Sequence, residues 1–132
     1  MSSDFYKQKR KELEESNNIK LYKITGNNGD FFYLKVIEED NNQYCMPIIP
    51  KRYYYYNDIP FVKKKNWLWK DDYGIEFDID YFIRNYAPIV GLNGASDFWI
   101  SFMENNLGVE FGKTWIEDLG IKNQSDLIKL WE

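Results

Sequence analysis

Three acidic residues alternate with apolar residues near the middle of the chain, in the sequence Glu76-Phe77-Asp78-Ile79-Asp80. Carboxylates on one strand face can bind Mg²⁺ or Ca²⁺, which prefer oxygen ligands. Acids on the solvent side of a half-buried strand produce the same pattern without any metal. We therefore expect no metal site and no cofactor. A metal-dependent enzyme built on Glu76, Asp78 and Asp80 is the third of three hypotheses.

The stretch from residue 51 to residue 70 is both aromatic and basic, with a net charge of +5. Proteins that bind single-stranded nucleic acid offer aromatic stacking faces in a positive groove. The whole chain is acidic, whereas nucleic-acid-binding domains usually have a basic balance. Single-stranded nucleic-acid binding is therefore the alternative hypothesis. Its candidate residues are Tyr53, Tyr54, Tyr55, Tyr56, Lys63, Lys64 and Lys65.

The acidic charge is concentrated in the second half of the chain. Residues 71–132 contain twelve Asp or Glu against four Lys or Arg, a net charge of −8, whereas residues 1–70 have a net charge of +4. Small acidic proteins can occlude a basic surface of a partner, and charge complementarity speeds their association. The leading hypothesis is a bacterial or phage protein-binding module of the inhibitor, immunity or anti-defence type, without enzymatic activity. Its expected partner-binding residues are Glu104, Glu110, Glu117 and Asp118.

Two features of the composition exclude whole classes of chemistry. The chain contains no histidine, which excludes Ser-His-Asp and Cys-His nucleophilic sites and histidine-bound zinc. Cys45 is the only cysteine, so no disulfide can form within one chain and no cysteine cluster can bind a metal. The first sixteen residues lack the apolar core of a signal peptide, and we expect a cytoplasmic protein.

The first half of the chain has the patterns of strands. A surface helix is predicted over residues 4–16. The Asn28-Gly29 pair between two β-rich runs is a strong hairpin signal. A turn at residues 38–42 leads to a third strand, which Pro47 assigns to a sheet edge or a bulge because proline lacks the N–H donor. The predicted strands cover residues 19–25, 31–37, 44–49, 53–56, 66–70 and 75–79.

The pattern changes to helical spacing near Asp80. Thr114 and Ser125 are expected to cap the last two of the helices predicted in this part, and Ser96 or Asp97 to cap an earlier one. Strands followed by helices indicate an α+β fold in one domain spanning residues 1–132. We expect an antiparallel sheet from about residues 19–79, packed with C-terminal helices. Those helices are predicted over residues 81–86, 97–106, 115–119 and 125–131.

Overall fold

The computed structural model describes residues 3–39, 41–53, 62–68, 73–77, 83–84 and 91–131. Within these residues the fold is α+β, as predicted, with six strands in one sheet. The strands are β1 (Ile19–Gly26), β2 (Phe31–Glu39), β3 (Asn42–Pro50), β4 (Val62–Leu68), β5 (Tyr73–Phe77) and β6 (Thr114–Asp118). The helices are α1 (Ser3–Glu14), α2 (Leu92–Leu107) and α3 (Gln124–Trp131), with a short 3₁₀ turn at Lys51–Tyr53. Ile83 and Arg84, inside the helix predicted over residues 81–86, are also helical.

The sheet has the strand order β4-β5-β3-β2-β1-β6, and all of these neighbours pair antiparallel. Strands β1, β2 and β3 form the two predicted hairpins. In the first turn Gly29 has a φ of +88°, and the Gly26 N–H donates to the Asp30 carbonyl over 2.8 Å. In the second turn Asn41 has a φ of +66°. Turn residues that tolerate positive φ therefore set both registers.

The prediction that Pro47 places its strand at a sheet edge is wrong. Strand β3 lies inside the sheet, between β2 and β5. The ladder to β5 covers only Ile48, Ile49 and Pro50, while Pro47 pairs with Leu34 of β2. Because Pro47 lies outside the shorter ladder, its missing N–H removes no bond to β5.

The segment predicted as a helix over residues 115–119 is strand β6, and this is the main correction to the expected fold. It pairs antiparallel with β1, from Gly26 opposite Thr114 to Tyr22 opposite Asp118. A helix of five residues contributes too little hydrogen bonding to form by itself. Gly112 and Gly120, with φ of +67° and +75°, reverse the chain on either side of the segment. The open edge of β1 then supplies the partner for these residues.

Helices α2 and α3 confirm two predicted helices but not their caps. The N-cap of α2 is Gly91 rather than Ser96 or Asp97, and α2 ends at Gly108 with a φ of +68°. In α3 the Asn123 side chain, rather than Ser125, accepts a hydrogen bond of 2.9 Å from the Asp126 N–H.

The core lies on both faces of the sheet. Phe32, Leu34 and Val36 of β2 belong to the larger cluster, with Trp99 and Met103 of α2 and Leu13 of α1. On the opposite face a smaller cluster joins Leu21, Tyr33 and Ile48 to Leu127 of α3. Tyr33 and Lys35, which share this face of β2, are both buried.

Candidate functional site

Strand β6 forms one edge of the sheet and leaves part of its backbone outside the β1 ladder. The Leu119 N–H donates to the Leu21 carbonyl over 3.0 Å, and the Asn27 N–H donates to the Lys113 carbonyl over 2.9 Å. Hydrogen bonding alternates along an antiparallel pair. The N–H and C=O groups of Thr114, Ile116 and Asp118 therefore point away from β1. Within the described part of the chain, no strand pairs with them.

The side chains of β6 are unusually exposed for a strand. Four of its five residues are exposed, including Trp115 at 51% and Ile116 at 37%. Exposed tryptophan is enriched among the residues that dominate protein–protein binding energy. An open strand edge can also accept an extended segment of another chain through backbone hydrogen bonds. The edge strand therefore combines two properties that favour binding of a protein.

Two of the four acids predicted to bind a partner lie on β6. Glu117 and Asp118 are exposed and adjacent, so their side chains point to opposite faces of the sheet. Glu117 is paired in register with Lys23 of β1. An Asp118 carboxylate oxygen accepts a hydrogen bond of 2.9 Å from the Gly120 N–H and so stabilises the turn after β6.

The other two predicted acids lie near the start of β6. The Glu104 carboxylate of α2 accepts a hydrogen bond of 3.3 Å from the Phe111 N–H, so it helps to position the connection to β6. The Glu110 side chain is exposed, and its backbone carbonyl accepts a bond of 2.9 Å from the Asn28 amide. Glu110, Glu117 and Asp118 thus lie on or just before the edge strand, whereas Glu104 has a structural contact.

Lys23 and Phe31 lie on the sheet face that carries Trp115 and Glu117, and Arg52 reaches the Phe31 ring from the turn after β3. We call Lys23, Phe31, Arg52 and Tyr53 the cationic aromatic cluster. Lys23 Nζ lies 4.5 Å, and Arg52 Cζ 4.7 Å, from the centroid of the Phe31 ring. The sequence interpretation missed this cluster, although the Asn-Gly hairpin register places Lys23 opposite Tyr33 and therefore diagonal to Phe31.

Tyr53 is a structural residue rather than a free stacking face. Its side chain is 8% exposed. Its hydroxyl donates to Asp30 Oδ1 over 3.0 Å and accepts from the Phe31 N–H over 3.2 Å. Burial raises the pKa of Tyr53, and the hydrogen bond to the Asp30 carboxylate adds to this effect. The sequence had proposed Tyr53 as a stacking residue, and its burial argues against that role.

The remaining candidates for nucleic-acid binding either lie outside the described residues or belong to a strand at the far edge of the sheet. Tyr54, Tyr55 and Tyr56 lie outside the described residues. Lys63, Lys64 and Lys65 belong to β4, the sheet edge opposite β6.

Tyr33 connects β6 electrostatically to the cationic aromatic cluster. Burial raises the pKa of Tyr33 to about 12, the Arg52 guanidinium opposes the shift, and the Glu117 carboxylate adds to it. Arg52 and Glu117 therefore both lie close enough to Tyr33 to affect its ionisation. The β6 edge is consequently acidic on the strand itself and bordered by cations on one face.

The residues considered for metal binding remain separate in the described structure. Glu76 lies on β5, paired in register with Ile48 and Lys63, whereas Asp78 and Asp80 lie outside the described residues. A polar cleft of about 530 Å³ opens at the β2–β3 hairpin, where Glu39 lies 3.6 Å from Lys9 Nζ. Among the side chains described, no group of three potential metal-ligating residues comes together. The cleft is lined by Asn18, Glu38, Glu39, Asn41, Asn42 and Gln43.

Cys45 lies in the core of β3. It is 2% exposed, and burial, with a contribution from the Glu38 carboxylate, raises the pKa of its thiol to about 11. The thiolate, rather than the thiol, is the nucleophile. The environment of Cys45 is therefore that of a core side chain.

Strand β6 is the candidate site that these contacts define most clearly. None of the helices in the described ranges is both long and apolar enough to cross a bilayer. Comparison with protein-family models, with curated proteins and with solved structures finds no match for this chain.

Proposed function

We propose that this protein is a small protein-binding module that occludes a basic surface of a partner, as inhibitor, immunity and anti-defence proteins do. The observation that carries the proposal is strand β6, an open sheet edge that exposes Trp115 and holds the carboxylates of Glu117 and Asp118. A cytoplasmic location fits the single cysteine, and a bacterial or phage setting fits the preference for Asn, Lys, Ile, Tyr and Phe, whose codons are rich in A and T.

Each part of the edge strand has a separate role in this proposal. Trp115 is the apolar anchor that a partner buries. The carboxylates of Glu110, Glu117 and Asp118 attract basic side chains and raise the association rate at low ionic strength. The outward backbone groups of β6 can bond an extended segment of the partner. None of these roles requires a catalytic residue.

Affinity capture from nuclease-treated extracts of the source cells tests the proposal. We expect the native chain to retain a basic protein, and a Trp115→Ala, Glu117→Lys double variant to lose it. Ile128→Ala is the matched control, because Ile128 is 45% exposed on α3 and not on the edge strand. Retention of the same protein by the double variant would place the binding surface elsewhere.

Single-stranded nucleic-acid binding is a second candidate, supported by the cations of the cationic aromatic cluster. Lys23 and Arg52 lie within 4.7 Å of the Phe31 ring on a partly open face. Fluorescence anisotropy with a labelled single-stranded oligonucleotide measures this activity directly. Under this candidate, Arg52→Ala, or reversal of Lys63, Lys64 and Lys65 to Glu, weakens binding, and proteins captured from untreated extracts are lost after nuclease treatment.

A further inference from the structure

The outward groups of β6 have the spacing that a second copy of the same strand requires. Thr114, Ile116 and Asp118 carry these groups at alternate positions. We propose that two copies of this chain pair antiparallel through β6, around a twofold axis at Ile116. In this register Ile116 hydrogen-bonds with Ile116 of the second copy, and Thr114 with Asp118. Because outward-pointing residues meet only outward-pointing residues, the ladder closes without a bulge.

The side chains of β6 are complementary to themselves in this register. The two exposed Ile116 side chains meet at the axis, which removes apolar surface from water. On the same face, each Thr114 hydroxyl lies opposite Asp118 of the second copy. One Asp118 oxygen, Oδ1, already accepts from the Gly120 N–H, so the proposed contact uses Oδ2. A hydroxyl–carboxylate pair is among the cross-strand pairs that stabilise sheets.

Trp115 also gains a partner on the opposite face. It lies opposite Glu117 of the second copy and diagonal to the second Trp115, a separation that large aromatic side chains span in antiparallel sheets. Trp115, the aromatic residue of β6, is 51% exposed in the single chain, and pairing covers part of this surface. Both faces of the strand therefore support the same register.

The charges of β6 determine how such a dimer responds to salt. The two copies of Glu117 lie diagonal to one another on one face, whereas the two copies of Asp118 lie at opposite ends of the ladder. Lys23 pairs in register with each Glu117. Screening reduces repulsion between the acids, so self-association strengthens as salt is added. Binding of a basic partner has the opposite salt dependence. The dimer does not rest on the proposed function, but it uses the same edge of β6, so a second copy and a bound partner exclude one another. Their opposite salt dependences distinguish them.

Light scattering coupled to gel filtration measures the proposed association. We expect the native chain to move from its monomer mass of 16.0 kDa towards twice that mass as its concentration rises to about 1 mM, because short interfaces associate weakly. Ile116→Pro removes an outward N–H without removing a bond to β1, so it should stay monomeric and folded. The control is Ile128→Lys rather than Ile128→Pro, because proline would break α3.

Cysteine cross-linking tests the register even if Ile116→Pro fails to fold. Directly opposed residues in such a pair have Cα atoms about 5.5 Å apart, within the range of a disulfide. Ile116→Cys should therefore form an intermolecular disulfide under mild oxidation, while Ile128→Cys should not. A native chain that stays at 16.0 kDa throughout, or equal cross-linking of both cysteine variants, would overturn the proposal.

Discussion

Tyr53 links the 3₁₀ turn after β3 to the start of β2. Its hydroxyl donates to Asp30 and accepts from the Phe31 backbone, and Arg52 Nη2 donates to the same oxygen over 3.3 Å. The Arg52 guanidinium also packs against the Tyr53 ring, with its Cζ 4.9 Å from the ring centroid. At the scale of single residues, Tyr53 is therefore the member of the cationic aromatic cluster that stabilises the β1–β2 turn.

Replacement of Tyr53 by Phe removes these hydrogen bonds while retaining the ring. We expect the free energy of unfolding to fall by about 1 to 3 kcal/mol, because a partly buried N–H and a carboxylate lose their partner. Urea denaturation measures the difference. Tyr22→Phe is the matched control, since the Tyr22 hydroxyl makes no hydrogen bond to a described residue, and it should change stability by much less. Equal losses for the two variants would contradict the assigned role.

Tyr33 makes stability depend on pH in the alkaline range. Its folded pKa is raised to about 12, whereas an unfolded tyrosine has a pKa of about 10. Above pH 10 the unfolded state loses this proton while the folded state keeps it, so the stabilisation present below pH 10 is lost as pH rises through 12. The loss reaches at most about 3 kcal/mol.

Urea denaturation across this alkaline range measures the effect. Tyr33→Phe should make the decline with pH shallower than in the native chain. An unchanged slope in this variant would show that other groups cause the decline.

At the scale of the elements, the end of β1 lies close to the connection that precedes β6. This contact positions the edge strand. Gly26, the last residue of β1, pairs with Thr114. A Cβ at Gly26 would press on the Phe111 carbonyl oxygen and lie 2.8 Å from the Phe111 Cα. Phe111 is fully buried, and its ring packs edge-on against Phe32 at 5.7 Å, so this connection cannot easily move away.

Gly26→Ala should therefore destabilise the protein by about 1 to 3 kcal/mol and disturb the pairing of β6 with β1. Gly91→Ala, at the N-cap of α2, is the control for the exchange of the β1–β6 ladder rather than for stability, because a Cβ there would meet only the Gln43 side chain, at 3.4 Å. Thermal unfolding compares the variants, and hydrogen exchange of the Leu119 and Asn27 amides reports on the β1–β6 ladder. Retention of native exchange rates in Gly26→Ala would contradict the predicted close approach.

At the scale of the whole molecule, the two edges of the sheet differ in charge. Strand β6 carries Glu117 and Asp118, whereas β4 carries Lys63, Lys64 and Lys65 at the opposite edge. A protein with oppositely charged ends orients a charged partner before contact. The acidic edge is therefore the side that a basic partner should approach.

Reversal of Glu110 and Glu117 to Lys should lower the association rate with a basic partner about tenfold or more at low ionic strength. Glu104 is left unchanged because its carboxylate bonds the Phe111 N–H. Stopped-flow or surface-based kinetics on the captured partner measure the rate, and circular dichroism checks the fold. Reversal of Lys63, Lys64 and Lys65 to Glu should have much less effect. The opposite ranking would assign binding to the aromatic and basic stretch.

The sequence by itself determined the features that depend on neighbouring residues. The Asn-Gly turn and alternating apolar residues predicted β1 and β2 in their correct order, and the change of period predicted α2 and α3. These signals are local, because turn conformation and side-chain alternation depend on residues close in the chain. The absence of histidine likewise excludes histidine-dependent chemistry whatever the fold.

Only the tertiary structure decided the identity and environment of the candidate site. Residues 114–118 became a strand because β1, roughly ninety positions earlier in the chain, offered an open edge, and no local pattern reports such a distant pairing. The same folding buried Tyr53, placed Arg52 beside Phe31 and engaged Glu104 with Phe111. A residue's exposure and partners depend on which segments pack against it, so the sequence could nominate Glu117 and Asp118 but not place them on an edge strand.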